Sequence, residues 1–308
     1  MDYKKRIIII TDISSLKSGE LEPDDAQSMI RYLLYSNEFD TEGLIAAAYG
    51  NYGIKPEYIH KLINAYEEDY PFLIKHSDTY PLPSALRNVV KNGSLVHGDN
   101  NMGDCYDTEA SDWIIHCADK VDDRPVWILL WGGALDVAQA IWRSQKSKSE
   151  TDFNIFKRKL RVYSISDQYD STGKWIKSNY PDIFYITNYN GFRGMYRDGD
   201  GTLCNEQWVR NNIINSGSLG AAYPLYNGKD PWGNVYGIKE GDTPSFLYLL
   251  YNDHTDTPEL ESWGGQFIKC GENQYCDISN IQEARKSIYK WRKDFQSDFQ
   301  KRLEWCRK

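Results

Sequence analysis

Five carboxylates crowd one short stretch near the start of the chain. In IIIITDISSLKSGELEPDDAQSMIRYLL (residues 7–34), Asp12, Glu20, Glu22, Asp24 and Asp25 stand between four isoleucines and an amphipathic pattern. Like charges held together repel, so such a cluster needs a cation or a shared proton near neutral pH. Hard oxygen donors without Cys or His beside them suit Ca²⁺ or Mg²⁺ over Zn²⁺. A cation held there lowers the pKa of a water, which a carboxylate then deprotonates. A plainer reading stays open: EPDD caps a helix, where acidic side chains favour the positive N-terminal end.

The elements that position these residues follow from periodicity. Four β-branched residues in a row (7–10) suit a strand covered on both faces. Ala26, Met29, Ile30, Leu33 and Leu34 recur at helical spacing, which predicts a helix over 24–35. Strands are also expected at 41–49, at PFLIK (71–75), and at 126–131, 161–166 and 182–187. Helices are expected at 55–69, at TEASDWIIHCADK with Thr108 as its cap, at ALDVAQAIWRS, and as one long piece over 280–305. Strands alternating with helices predict an α/β fold with a mainly parallel, helix-covered open sheet. No repeat or linker divides the chain, so one domain over 1–308 is expected, with 188–240 as a loop-rich wall.

Ligands of such sheets bind beyond the carboxyl ends of the strands. Asp12, Asn51, Asp136, Asp167 and Gln168 each follow an expected strand and could converge there. Asp167 and Gln168 also read as turn residues. His97 in VHGD is a candidate substrate contact or a structural loop residue, and His254 in YNDHTD a candidate acid. Trp263, followed by two glycines, is a stacking platform or a core corner. No Ser-His-Asp order, dinucleotide-binding glycine motif or Walker loop stands out.

Bulk properties narrow the partners. With 308 residues, a net charge of −8 and a pI near 5.3, the chain lacks the basic footprint of a nucleic-acid binder. No apolar run approaches the roughly 20 residues of a membrane span. The basic MDYKKR is followed by too few apolar residues for a leader core, which predicts a cytoplasmic protein, or a secreted one if a leader precedes these residues. Six scattered cysteines agree with a reduced compartment. Cys270 and Cys276, bracketing GENQY, are the pair a disulfide would join. Aromatics at 14% fill a core or present apolar faces to sugar rings. A homo-oligomer stays open.

IIIITD…EPDDAQSMIRYLL resembles the opening of the inosine-uridine nucleoside hydrolase family, in which an aspartate-rich loop holds a catalytic Ca²⁺. EGLIAAAYGN, VHGDNNMGD, WGGALDVAQAI and EGDTPSFLYLL are similar to later family motifs, in the same order. ISDQYDSTGKWIKSNYPDIFYI and the WGG turn resemble more closely a bacterial nucleoside-hydrolase-like branch, some members of which are labelled cellulose-binding. The resemblance spans roughly residues 5–265 and implies a sheet of nucleoside hydrolase type.

Carried over residue by residue, the resemblance implies Asp25 as bidentate metal ligand and Asp242 as the ligand from the far loop. It implies a metal-directed backbone carbonyl at Leu135 and a metal-linked, water-activating carboxylate at Asp12. Asp24 becomes the contact to a sugar hydroxyl, with a role in catalysis, and Asn51 a sugar or water contact. Glu22 competes with Asp12 for its role, because SSLKSGEL lengthens the loop. Gly241 stands where many nucleoside hydrolases carry the histidine that helps the purine depart.

Three functions are in play. The first is a Ca²⁺-dependent hydrolase of an N- or O-glycosidic bond acting on a small sugar, glycoside or nucleoside. The second is a carbohydrate-binding protein without turnover. The third, a Mg²⁺ phosphohydrolase, would want basic residues by the acidic loop, where only Lys17 offers itself.

Overall fold

A computed structural model describes residues 4–18, 20, 23–48, 50, 53–168, 171–228 and 235–307. Its strands are β1 (Lys5–Thr11), β2 (Phe39–Ala46), β3 (Val90–Asn92), β4 (Val126–Leu130), β5 (Leu160–Ile165), β6 (Phe184–Asn188), β7 (Tyr226–Asn227), β8 (Tyr236–Gly237), β9 (Phe267–Lys269) and β10 (Gln274–Asp277). The first helices are α1 (Pro23–Leu34), α2 (Pro56–Leu73), α3 (Pro83–Asn88), α4 (Glu109–Asp119), α5 (Leu135–Ser147) and α6 (Glu150–Lys159). They are followed by α7 (Ser171–Asn179), α8 (Glu206–Asn212), α9 (Gly217–Ala221), α10 (Pro244–Leu247), α11 (Ile281–Tyr289) and α12 (Arg292–Glu304).

Eight strands form one sheet in the order β3-β2-β1-β4-β5-β6-β10-β9. Every pairing is parallel except β10 with β9. The α/β, mainly parallel, helix-covered sheet expected from the alternation is therefore present. β1 lies in its middle, and its isoleucines point alternately to two cores. Ile7 and Ile9 join Met29 and Leu33 of α1, Ile59 of α2 and Phe295 and Phe299 of α12. Ile8 and Ile10 meet Ile114 of α4, Val137 and Ile141 of α5, and Ile176 of α7. Burial on both faces is why the strand reads as an unbroken apolar run.

α1 is buried along its whole length. One face packs on the sheet, and the other meets α12, where the Arg31 guanidinium stacks 3.8 Å from the Phe299 ring centroid. The Thr108 cap is present, its side chain accepting from Ser111 N at 2.9 Å.

Two expectations fail. PFLIK is not a strand: α2 runs through Pro71 to Leu73, because the stripe Ile59, Leu62, Ile63, Tyr66 continues at helical spacing to the buried Leu73. The helix expected over 280–305 is two, α11 and α12, joined at Lys290–Trp291. There Arg292 is buried, and its guanidinium donates to the carbonyls of Gly194, Arg197, Asp198 and Asp200 at 2.5–3.0 Å. The short outer strands β3, β9 and β10 were not foreseen, being too brief to show a two-residue period. Among the described residues no helix is long and apolar enough to cross a membrane.

Candidate functional site

The acidic stretch lies where β1 ends. Trp131 N and Gly132 N, just past β4, both donate to Ile10 O, at 2.8 and 3.3 Å, so the two strand ends run side by side. A Cβ at position 132 would start 3.0 Å from Asp12 Cγ; glycine lets the backbone pass this close to the carboxylate. Asp24 and Asp25 open α1, and the Thr11 hydroxyl donates to Asp25 Oδ1. Asp12, Asp24 and Asp25 are 0%, 7% and 2% exposed. Burial, then the charges of Asp12 and Asp24, push the Asp25 carboxyl well above the usual carboxylate range, against the Thr11 hydrogen bond and the Lys239 charge. Three acids thus share one buried corner at the carboxyl end of the sheet.

The opposite wall is bolted to α1. Gln27 Oε1 accepts from Lys239 N at 2.7 Å and Glu240 N at 3.0 Å, while its Nε2 donates to the carbonyls of Pro224 and Gly237. Arg31 and Glu240 form a fully buried ion pair at 2.7 Å, to which the Tyr223 hydroxyl donates at 2.5 Å. This grip brings Lys239 Nζ to 3.4 Å from Asp24 Oδ1, and the Tyr226 hydroxyl donates to the same oxygen at 3.1 Å. Asp242 is 3% exposed, and its carbonyl accepts from Ser245 Oγ at 2.6 Å. Ser245 Oγ in turn accepts from Trp131 Nε1 at 2.8 Å, so the Asp242 segment is tied to the end of β4. At Gly241 a Cβ would stand 3.3 Å from Asp24 Oδ2 and 3.4 Å from the Phe192 ring, so a larger residue there would press on Asp24.

The other candidates divide. Leu135 is the first residue of α5, directly after the β4 turn. His97 is half-buried in a loop laid over the strand ends. Asp99 N donates to Ser171 Oγ and Gly103 N to Gln139 Oε1, which ties that loop to α7 and α5. Burial lowers the His97 pKa, against a backbone contact from Gly50. Gln168 Nε2 donates to Trp131 O at 2.7 Å and so joins the ends of β5 and β4.

Asp167 is turned into the fold: its carboxylate takes the Lys177 ammonium and, at 2.8 Å, the Tyr185 hydroxyl. It holds a turn in which Ser166 and Asp167 both have positive φ, 61° and 47°. Asp136 is likewise occupied, accepting from Ser94 N and the Thr108 hydroxyl. Trp263 packs edge-on to Tyr251 with ring centroids 5.5 Å apart. The neighbouring Asn252 receives Lys5 Nζ from the start of β1, which puts this pair toward the opposite end of the sheet from Asp12. His254 N donates to the Asn252 side chain, so it shares that end and is not placed to protonate a ligand beside Asp24. Asn51 and Glu22 lie outside the described residues.

Tyr226, Lys239 and the Gln27–Arg31 grip were missed, and only the Lys-Glu pair ahead of GDTPS could have drawn attention to them.

No group of three or more His, Cys, Asp or Glu among the described residues stands in metal-holding geometry. The chemistry of the donors nevertheless fits a hard divalent cation: buried carboxylate oxygens, mutually repelling at Asp25.

Comparison with known proteins agrees with this fold. The family model described as cellulose-binding Sde182, nucleoside hydrolase-like domain, matches residues 6–267. A nucleoside hydrolase-related hypothetical protein from Saccharophagus degradans, described as associated with carbohydrate metabolism, is 31% identical, with a TM-score of 0.81, over 99% of this chain and 72% of its own. A plant nucleoside hydrolase, PpNRh1, shares the fold at 14% identity and a TM-score of 0.53, over 98% of this chain and 99% of its own. The effector protein XOO4466 does so at 8% identity and a TM-score of 0.51, over 96% and 94%. No curated protein matches.

Proposed function

This chain belongs to the cellulose-binding Sde182, nucleoside hydrolase-like family, and on that footing we propose that it hydrolyses an N- or O-glycosidic bond of a small sugar ligand at the carboxyl end of its sheet. The observation that carries this reading is the buried meeting of Asp12, Asp24 and Asp25, with the Asp25 carboxyl pushed up by burial and then by its two neighbours. Three acids forced together are costly unless they handle protons or a cation. The relative described as associated with carbohydrate metabolism supports a sugar as the ligand.

In this reading Asp12, Asp25, Asp242 and the Leu135 carbonyl would hold Ca²⁺, with Mg²⁺ a poorer fit. When bound, the cation supplies charge neutralisation and a fixed point for a sugar diol. Asp12 takes the proton of the water that attacks the anomeric carbon. Asp24, steadied by Tyr226 and Lys239, accepts a hydrogen bond from a sugar hydroxyl. His97 and Gln168, near the same strand ends, would contact the ligand, and Asn51 would add a sugar or water contact.

A second reading, sugar binding without turnover, is favoured by Gly241. No proton donor stands at the position where many nucleoside hydrolases carry a histidine, and one general acid typically contributes about 10²–10⁴-fold in rate. The expected outcome is slow or absent cleavage of inosine, with faster cleavage of glycosides whose leaving group departs unprotonated. A p-nitrophenyl glycoside panel, with inosine and uridine as comparators and calorimetric sugar binding alongside, tests both readings. Fast inosine hydrolysis would overturn the leaving-group argument. Binding without cleavage anywhere in the panel would favour the second reading.

A further inference from the structure

Cys270 and Cys276 lie on one face of the β9–β10 hairpin. The antiparallel register pairs Tyr275 with Lys269 and Cys276 with Ile268. Side chains two residues apart on a strand share a face, so Cys270 stands on the same side as Ile268 and therefore as Cys276. Cys270 N donates to Gln274 O at 2.9 Å, which closes the turn and holds the two residues as diagonal neighbours. The register thus brings both side chains to one face of the hairpin, across its closing turn. Neither is joined in a disulfide in this structure; Cys270 is exposed and Cys276 partly so. The remaining cysteines lie elsewhere: Cys117, Cys204 and Cys306 are buried, and Cys105 is in the loop before α4.

We propose that Cys270 and Cys276 form a reversible disulfide, with a low-molecular-weight disulfide such as oxidised glutathione as the oxidant. The exposed Cys270 thiolate attacks one sulfur of glutathione disulfide, giving a mixed disulfide and releasing one glutathione thiolate. The Cys276 thiol gives up its proton and attacks the Cys270 sulfur, expelling the second glutathione. Two protein thiols are oxidised by two electrons, and one glutathione disulfide is reduced to two glutathione molecules. Burial first, then the Cys270 sulfur, push the Cys276 thiol up to about 12, which makes Cys270 the first to react and Cys276 the resolving partner.

The link bears on the site through the next residue. Asp277 accepts the backbone N–H groups of Asn190 and Gly191, and Phe192 beyond them faces Gly241. Oxidation pins the hairpin that carries this tether.

The experiment uses the full chain. Incubation with oxidised glutathione, then alkylation and trypsin without reductant, reads the segment from Cys270 to Arg285, which contains both cysteines and no internal Lys or Arg. The expected product is this peptide lighter by two hydrogens and unalkylated, restored by dithiothreitol, with the oxidised protein melting a few degrees higher. Cys276→Ser should trap a stable glutathione adduct at Cys270 and show no rise in melting temperature. A persistent adduct at Cys270 in the wild-type protein, or two alkylated cysteines after oxidation, would overturn the pairing. A disulfide joining any other pair would do the same.

Discussion

Lys239 Nζ lies 3.4 Å from Asp24 Oδ1, and both side chains are only 10% exposed. A lysine from the far wall thus carries its charge into the acidic turn and also draws down the Asp25 carboxyl. Removing one partner of a buried pair costs about 3–5 kcal/mol. Lys239→Met should therefore be less stable by about 3 kcal/mol in chelator, and should recover more stability from added Ca²⁺ than the wild type does. Urea denaturation with and without Ca²⁺ measures both. A loss of equal size in the two conditions would show that the ammonium and the cation do not share the acidic cluster.

The cation itself is tested by stability. A ligand that binds only the folded state at a hundredfold excess over its dissociation constant adds about 2.7 kcal/mol. Wild-type protein stripped of bound ions should gain this with Ca²⁺ and less with Mg²⁺, whereas Asp25→Asn and Asp242→Asn should gain nothing. Asp253→Asn, an exposed aspartate toward the other end of the sheet, should respond as the wild type. A full Ca²⁺ shift in Asp25→Asn would remove Asp25 from the ligand set.

The Arg31–Glu240 pair, with both side chains fully buried, fixes the segment that carries Lys239 and Asp242. Arg31→Met leaves the Glu240 charge uncompensated and should cost about 3–5 kcal/mol. Arg31→Met combined with Glu240→Gln should recover a large part of that loss, because no buried charge is then stranded. A double-mutant cycle by chemical denaturation reads the coupling. Strict additivity would mean the pair does not act as a unit.

Asp277 supplies a pH signature. Burial raises its carboxyl to about 6 from 3.8, against the N–H groups of Asn190 and Gly191. A raised folded-state value makes its contribution full below 3.8 and lost as pH rises through about 6. Asp277→Asn keeps an oxygen acceptor for the two N–H groups but cannot titrate. Its stability should therefore fall less steeply than that of the wild type between 3.8 and about 6. Parallel slopes across that window would place the Asp277 carboxyl in its ordinary range.

The sequence by itself determined the frame and one side of the site. An apolar run that suddenly ends in acids marks a buried strand meeting a polar opening, so β1, α1 and the corner of Asp12, Asp24 and Asp25 are local facts written in residue order. The α/β sheet follows for the same reason, since a two-faced strand needs helices on both sides. PFLIK misled because a short apolar run fits either a strand or the last turn of a helix, and only packing of Leu73 in the core selects between them. The 280–305 helix misled because the break depends on where the Arg292 guanidinium finds carbonyls, 92 to 98 positions away.

The far wall of the site belongs to tertiary structure alone. Lys239 is 215 positions from Asp24 and Tyr226 is 202, and no local pattern links them. They meet because Gln27 and Arg31, on the buried helix that also presents Asp24, satisfy the backbone and charge of residues 237–240. Asp167 and Trp263 diverge by the same physics: a residue type near a strand end names a possibility, and its partners in the packed chain decide which way it faces.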